Sequence, residues 1–373
     1  MRVFINTFPH FVSPTNTDWR YNWKIARLDE VFADLETRLP KSPMTCVGPN
    51  ASYVTAWLRH RLLPPNWAKK LSGPPTQLNR IWLPELRRFR PDVVFSHGWY
   101  PRNAGPVPVV WETGYEDADE AACAGLDEEA LRRDRAQKRA LSRRAAVVLV
   151  SNREAADRMR SDFPESAHKI RVASFYLPGL DPLGEQTVLE KQSLNGPLRV
   201  LMVGLQARRK GIATLLNAVR AANDSQAGAV RLDIVSDFRD GPVPLPKDGT
   251  VISHGRLPPD RVRALFEASQ VFAMPSQRES FGIVFIEAMA TGCVTIVPDK
   301  AVQREIIDQG RAGLAVDPGD ASKLAAHFLL LRNEEGTRKK LAMAALSRFK
   351  QTYSAHEVAK TYYSAFRFAS GIA

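Results

Sequence analysis

Short apolar runs alternate along this chain with segments whose apolar positions recur at helical spacing. The pattern is clearest in the C-terminal half. LRVLMVG (198–204) reads as a buried strand, and the loop LQARRKG leads into an amphipathic helix, IATLLNAVRAAN. Strand VRLDIVS (230–236), a Pro/Gly-rich loop, strand TVISHG and helix PDRVRALFEAS follow. A strand over 271–274 then turns at Pro275 and Ser276 into a loop, and a helix from about Ile283 ends just before Gly292, where a C-terminal cap is expected. An apolar strand over 293–297 and a strand-loop-helix ending in KLAAHFLLLRN complete the half. The N-terminal half alternates in the same way. Strand RVFINTF precedes a long loop, a helix near 22–38 and a strand around MTCVG. PDVVFSHG (91–98) and PVPVVWETG are strands, a charged helix spans about 127–143, and strand AAVVLVS, helix REAADRMRSDF and strand KIRVASF follow. Strands alternating with helices predict parallel sheets covered by helices on both faces.

A length of 373 residues exceeds one compact core and points to two domains. The segment 177–197 has Pro and Gly at both ends and little periodicity, and the linker is placed there. The expected division is an N-terminal Rossmann-like domain over 1–180 and a second over 195–350. The C-terminal helix, about 350–373, is expected to pack back on the first domain. Hydrophobic content of 44% and charged content of 25% fit a soluble globular protein. No apolar run approaches the roughly 18 residues that span a bilayer, and no signal peptide is evident. Three scattered cysteines (Cys46, Cys123, Cys293) give neither a disulfide framework nor metal-ligand spacing. The expected location is cytoplasmic, with room for peripheral contact at the inner face of the membrane.

Charge changes the picture only mildly. The formal net charge is +12, spread over both halves: residues 1–191 hold 28 basic and 23 acidic residues, residues 192–373 hold 24 and 17. No basic tail for nucleic acid is indicated, and nucleic acid is not among the expected partners. Anionic substrates suit the balance.

The candidate chemistry centres on PSQRESFGIVFIEAMATGCVTIV. Glu279 lies in the loop after a strand, and Glu287 lies on the helix behind it. Open α/β sheets bind ligands at such strand ends. The run ESFGIVFIE, flanked by PS and EAMATG, resembles the E-x7-E motif of retaining glycosyltransferases with the GT-B fold, family 4 in particular. The resemblance is strong over about 198–320, moderate over 91–175 and weak over the first 90 residues. It implies an α/β GT-B architecture, two Rossmann-like doubly wound domains facing a cleft. It implies a retaining, metal-independent transfer of a sugar from a UDP- or GDP-sugar donor. The acceptor would be a glycan, glycolipid or lipid-linked molecule, in cell-surface polysaccharide or glycoconjugate synthesis. No cofactor is expected.

By this resemblance Glu287 takes the ribose hydroxyls and Glu279 the donor sugar. The amides of Ser280, Phe281 and Gly282 face the sugar or the diphosphate, as helix N-termini favour anions. In isolation, Glu287 would read as a solvated helix glutamate. In VGLQARRKG, Gly204, Lys210 and Gly211 match the family's diphosphate loop, but Leu205 stands where the family has an arginine. Arg208 or Arg209 is the expected substitute. In SHGRLPPD, Gly255, Arg256 and Leu257 would meet the base. His97, ending a buried strand, would approach the donor sugar, having both a donor and an acceptor for hydroxyls. Trp99, Glu112 and Thr113 end neighbouring strands and are candidates for the acceptor side. The loop after the first strand lacks the glycines common in the family, and Asn6, His10 and Asn16 are its polar candidates. Asp117 and Asp119 form a D-x-D by letters within an acidic loop, which reads as solvated rather than metal-binding.

All seven tryptophans fall within the first 111 residues. The stretch 57–90 interleaves Trp57, Trp67 and Trp82 with eight basic residues and one acidic one. That composition suits an anionic membrane surface, sugar stacking or single-stranded nucleic acid, and equally a core with a solvated basic face. The alternative to an enzyme is an accessory GT-B protein that binds a nucleotide sugar or partners another glycosyltransferase. A nicotinamide dehydrogenase is disfavoured, since no G-x-G-x-x-G follows a strand.

Overall fold

The computed structural model describes residues 2–6, 45–47, 90–97, 105–115, 127–175, 177, 179–193 and 195–371. The helix near 22–38, His10, Asn16, Trp99, Asp117, Asp119 and the basic stretch as far as residue 89 lie outside these residues. The chain divides into two units. Unit 1 takes Met1–Tyr115, Leu126–Pro178 and Val358–Ala373; unit 2 takes Glu116–Gly125 and Gly179–Glu357.

Unit 1 holds a six-stranded sheet of order β2-β1-β3-β4-β5-β6. Its strands are β1 (Arg2–Asn6), β2 (Thr45–Val47), β3 (Val93–His97), β4 (Val109–Glu112), β5 (Val147–Val150) and β6 (Ile170–Val172). Every pairing is parallel. β3, β4 and β5 are buried almost throughout, which is why they read as continuous apolar runs rather than alternating ones. Two helices join the later strands, α1 (Glu128–Arg144) and α2 (Arg153–Asp162). Each starts on a side-chain cap: Asp127 accepts from the Ala130 amide and Asn152 from the Ala155 amide, both at 2.7 Å. The basic residues of α1 are mostly exposed, and Arg139 and Arg143 both pair with Glu165.

Unit 2 holds a second parallel six-stranded sheet, of order β12-β11-β10-β7-β8-β9. The strands are β7 (Leu198–Val203), β8 (Val230–Val235), β9 (Val251–Ser253), β10 (Val271–Ala273), β11 (Val294–Pro298) and β12 (Leu314–Val316). The helices are α3 (Glu185–Gln192), α4 (Ile212–Ser225), α5 (Pro259–Ala268), α6 (Ile283–Ala290), α7 (Ala301–Ile306), α8 (Ala321–Asn333) and α9 (Glu335–Arg348). Its core packs Val200, Met202, Leu232 and Ile234 of the sheet against Leu215 and Val219 of α4 and Phe328 of α8. The strand order reverses between β7 and β10, the doubly wound arrangement in which ligands bind beyond the strands' C-terminal ends. A π-helical turn, Phe349–Tyr353, leads to the last helix, α10 (Ala355–Ser370), which counts with unit 1 from Val358 onward.

The segment expected to be an irregular linker carries helix α3. Its inward face is Val188, Lys191 and Gln192, so two of three buried positions are polar and give no apolar stripe. Polar bonds take the stripe's place. The Lys191 ammonium donates to the Thr291 carbonyl at 2.6 Å, and the Gln192 amide donates to the carbonyls of Gln270 (3.0 Å) and Gly292 (2.9 Å). Buried Arg338 of α9 donates twice to the Gln192 carbonyl.

Candidate functional site

Two loops meet at the C-terminal ends of β7 and β10. The first runs from Gly204 to Gly211, and the second from Pro275 to Gly282. Gly211 enters α4 at φ +83°, and a Cβ there would lie 2.1 Å from the Pro275 carbonyl oxygen. Only glycine lets the loops approach this closely. The Gln277 amide donates to the Arg209 carbonyl at 3.1 Å and closes the contact.

The Lys210 ammonium is ion-paired to Glu279 Oε2 in this junction, and both side chains are largely buried. The Lys210 stem lies against Gly204, where a Cβ would sit 3.0 Å from its Cγ. Gly204, Lys210 and Glu279 are thus brought together. Gly282, at φ +90°, enters α6 beside Glu279 Cγ and the Phe285 ring. Phe281 is buried, whereas Ser280 is exposed. Neither α4 nor α6 has a side-chain cap at its N-terminus, in contrast to the capped helices of unit 1. Uncapped helix starts at a switch point favour an anion.

The two arginines of the first loop are tied to neighbouring backbone. Arg208 packs across Gly241 and donates to the Pro242 carbonyl at 2.9 Å. Arg209 donates to Gln206 Oε1 and to the Arg278 carbonyl, both at 2.6 Å. Leu205 is half-buried, and its carbonyl accepts from the Ser236 hydroxyl at 3.4 Å. Glu287 is half-buried on α6. After β9, Gly255 has φ +63° with open space around it, Arg256 is exposed and Leu257 half-buried. Beside them His254 Nε2 contacts Asp233 Oδ1 at 2.7 Å.

One residue of this junction was not singled out in the sequence. Gln303 of α7 is 1% exposed, and its amide nitrogen donates to the carbonyls of Glu279 (2.9 Å) and Phe281 (3.2 Å). It holds the backbone that carries Glu279. Its Oε1 is buried without a partner among the described residues. A glutamine in a polar stretch after a strand gives no sequence signal by itself.

In unit 1, His97 ends β3 and Glu112 ends β4. His97 Nδ1 lies 2.7 Å from Glu112 Oε2, and the Tyr362 hydroxyl of α10 donates to Glu112 Oε1 at 2.8 Å. Glu112, a candidate for the acceptor side, is instead 4% exposed and turned inward to these partners. Burial, then the Glu112 carboxylate, push the Tyr362 phenol well above its ordinary range, so it keeps its proton. Thr113 is buried beside Glu112. Among the described residues no cluster of three or more His, Cys, Asp or Glu could hold a metal ion. No helix among them is long and apolar enough to cross a membrane.

Comparison with known proteins bears on the fold. Residues 197–334 match the family model of glycosyl transferases group 1. The chain is 27% identical over 191 residues to the O-antigen chain mannosyltransferase B of Escherichia coli, covering 49% of each chain. It is 24% identical over 284 residues to the D-inositol 3-phosphate glycosyltransferase of Corynebacterium efficiens, covering 68% of this chain and 66% of that one. The match thus spans about half the length of the first relative and under two thirds of both. A solved structure of Anabaena Alr3699/HepE in complex with UDP and glucose superposes with a TM-score of 0.60 at 14% identity, over 97% of this chain and 98% of that one. Two parallel six-stranded sheets with flanking helices, in this likeness, define a protein of the GT-B fold. More narrowly, residues 197–334 of the second unit match the model of glycosyl transferases group 1.

Proposed function

We propose that the protein is a retaining, metal-independent glycosyltransferase. It transfers a sugar from a UDP- or GDP-sugar to a glycan, glycolipid or lipid-linked acceptor in polysaccharide or glycoconjugate synthesis. The observation that carries this reading is the Lys210–Glu279 pair at the β7/β10 switch point, between two uncapped helix starts. The solved relative with UDP and glucose supports a nucleotide-sugar donor.

The acceptor hydroxyl attacks the anomeric carbon as the bond to the diphosphate breaks, and a phosphate oxygen of the leaving group takes the hydroxyl proton. Charge accumulates on the diphosphate. Lys210, with three N–H donors, can hold Glu279 and a phosphate oxygen together. The helix starts at Gly211 and Gly282 add their dipoles. Glu279 holds the sugar, Glu287 the ribose and the 255–257 loop the base, and His97 of unit 1 is the candidate for a further substrate hydroxyl. Arg208 and Arg209 keep positive charge on the same loop while bound to carbonyls.

Leu205 in place of an arginine, with both neighbouring arginines tied to backbone, favours a second reading as a nucleotide-sugar-binding accessory protein. Incubation with UDP-glucose, UDP-N-acetylglucosamine and GDP-mannose, followed by assay of free nucleotide, separates the two. Turnover of a donor supports the enzyme, and tight binding without turnover supports the accessory reading. No binding of any nucleotide sinks both.

A further inference from the structure

We propose that Glu112 and Tyr362 act together as positioning residues that fix the tautomer and orientation of His97, presenting its Nε2 as an acceptor for a substrate hydroxyl at the C-terminal end of β3. The proposal rests on the reading above for His97.

Three observations carry it. The carboxylate, the phenol and the imidazole are contributed by β4, α10 and β3, elements far apart in sequence. The carboxylate is inward while the imidazole keeps about a quarter of its surface exposed, with side-chain exposures of 5% and 24%. The ring therefore has one nitrogen held inside at Nδ1 and reaches solvent at a strand's C-terminal end. The end of β3 lies at the reversal between β1 and β3, the place where this sheet type puts its ligands, and β4 is the next strand beyond it.

The chemistry of the trio is directional. An ionised carboxylate only accepts hydrogen bonds. With Glu112 ionised both of its oxygens accept, from the Tyr362 phenol at Oε1 and from Nδ1 of His97 at Oε2. The neutral ring then carries its proton on Nδ1 and offers Nε2 as an acceptor for a hydroxyl. Tyr362 is itself held by edge contact with Phe95 of β3, ring centroids 5.8 Å apart, and Phe366 packs on the same ring at the same distance. Helix α10 thus backs a strand pair some 250 residues earlier in the chain.

The test uses full-length protein with 15N-labelled histidine. His97→Gln assigns the His97 signals. The expected wild-type spectrum shows a protonated Nδ1 and an unprotonated Nε2. The double variant Glu112→Leu, Tyr362→Phe removes the carboxylate and the phenol together at similar shape and leaves Nδ1 of part-exposed His97 to meet water, and an unchanged circular dichroism spectrum checks that the fold is kept. In it the His97 signals should move to the mixed pattern of an unrestrained histidine. With the fastest donor of the panel, kcat should fall about 10–100-fold while KM stays within about threefold, as expected for a misplaced substrate contact. An Nε2-protonated wild type, or an unchanged tautomer in the double variant, overturns the proposal. So does His97→Ala losing turnover while the double variant keeps it. If His97→Ala itself keeps wild-type kcat, the role of His97 in transfer falls, and this inference falls with it.

Discussion

At the residue scale the site separates two carboxylates by their surroundings. Glu279 is clamped from three sides: Lys210 on its carboxylate, Gln303 on its carbonyl, and the Gly282 backbone against its stem. Glu287 sits on the first turns of α6. Replacing Lys210 by Ala removes the cation that would meet the diphosphate, and kcat should drop about 10²–10³-fold. Glu279→Ala should likewise cost turnover, whereas Glu287→Ala should mainly raise the donor Kd, by about 10–100-fold for a lost charged hydrogen bond. Steady-state kinetics and titration calorimetry on the three variants check the split, and wild-type kinetics in all three would remove the site. Glycine supplies a control on geometry. Gly211→Ala puts a methyl 2.1 Å from a backbone oxygen at φ +83°, so about 3 kcal/mol or more of stability should go, a Tm fall of ~6–12 °C. Gly255→Ala, at φ +63° in open space, should cost only about 1–2 kcal/mol. Equal effects at the two positions would show that the loop junction is not tight.

At the element scale, strands and helices with strong periodicity were legible. β7, α4, β8 and α6 lie where the apolar pattern puts them, and Gly292 caps α6 with φ +66°. The Glu279 loop and the Lys210 loop were legible as motifs, but their meeting was not: it depends on the β7-next-to-β10 strand order, which local spacing does not encode. Gln303 and the Glu112–Tyr362 bond were missed for the same reason, being contacts across long sequence separation. Helix α3 was missed because its anchor is a buried lysine. Desolvation pushes the Lys191 ammonium below its ordinary 10.5, while Cys293 and Glu267 pull weakly the other way. The folded state therefore binds the Lys191 proton less tightly than the unfolded chain does. The stability this gives is full above pH 10.5 and is lost as pH falls through the lowered folded value. Relative to Lys191→Met, the wild type should gain stability as pH climbs through the lowered folded value toward 10.5. Urea midpoints across that range read the slope, and a flat or falling difference contradicts the burial of a charged amine.

At the scale of the whole molecule the two units differ in an experimentally useful way. All seven tryptophans lie in residues 1–111, so unit 2 has none. Tryptophan fluorescence reports the N-terminal unit, while far-UV circular dichroism reports both. The Lys210–Glu279 junction, Glu287 and the 255–257 loop all belong to unit 2. A nucleotide that binds there stabilises the tryptophan-free unit by mass action, about 2.7 kcal/mol at a hundredfold excess over Kd. For a unit of this size that is a Tm rise of roughly 5–11 °C. UDP and GDP, added in turn, should raise the circular dichroism transition by this amount for the cognate base and less for the other. Glu287→Ala should lose most of the shift if, as proposed, Glu287 holds the ribose. Lys210→Ala should lose part of it, because a nucleoside diphosphate keeps its base and ribose contacts without the lysine. A shift that survives Glu287→Ala in full would place the nucleotide elsewhere. A shift confined to the fluorescence transition would move the donor site out of unit 2 and away from the two glutamates.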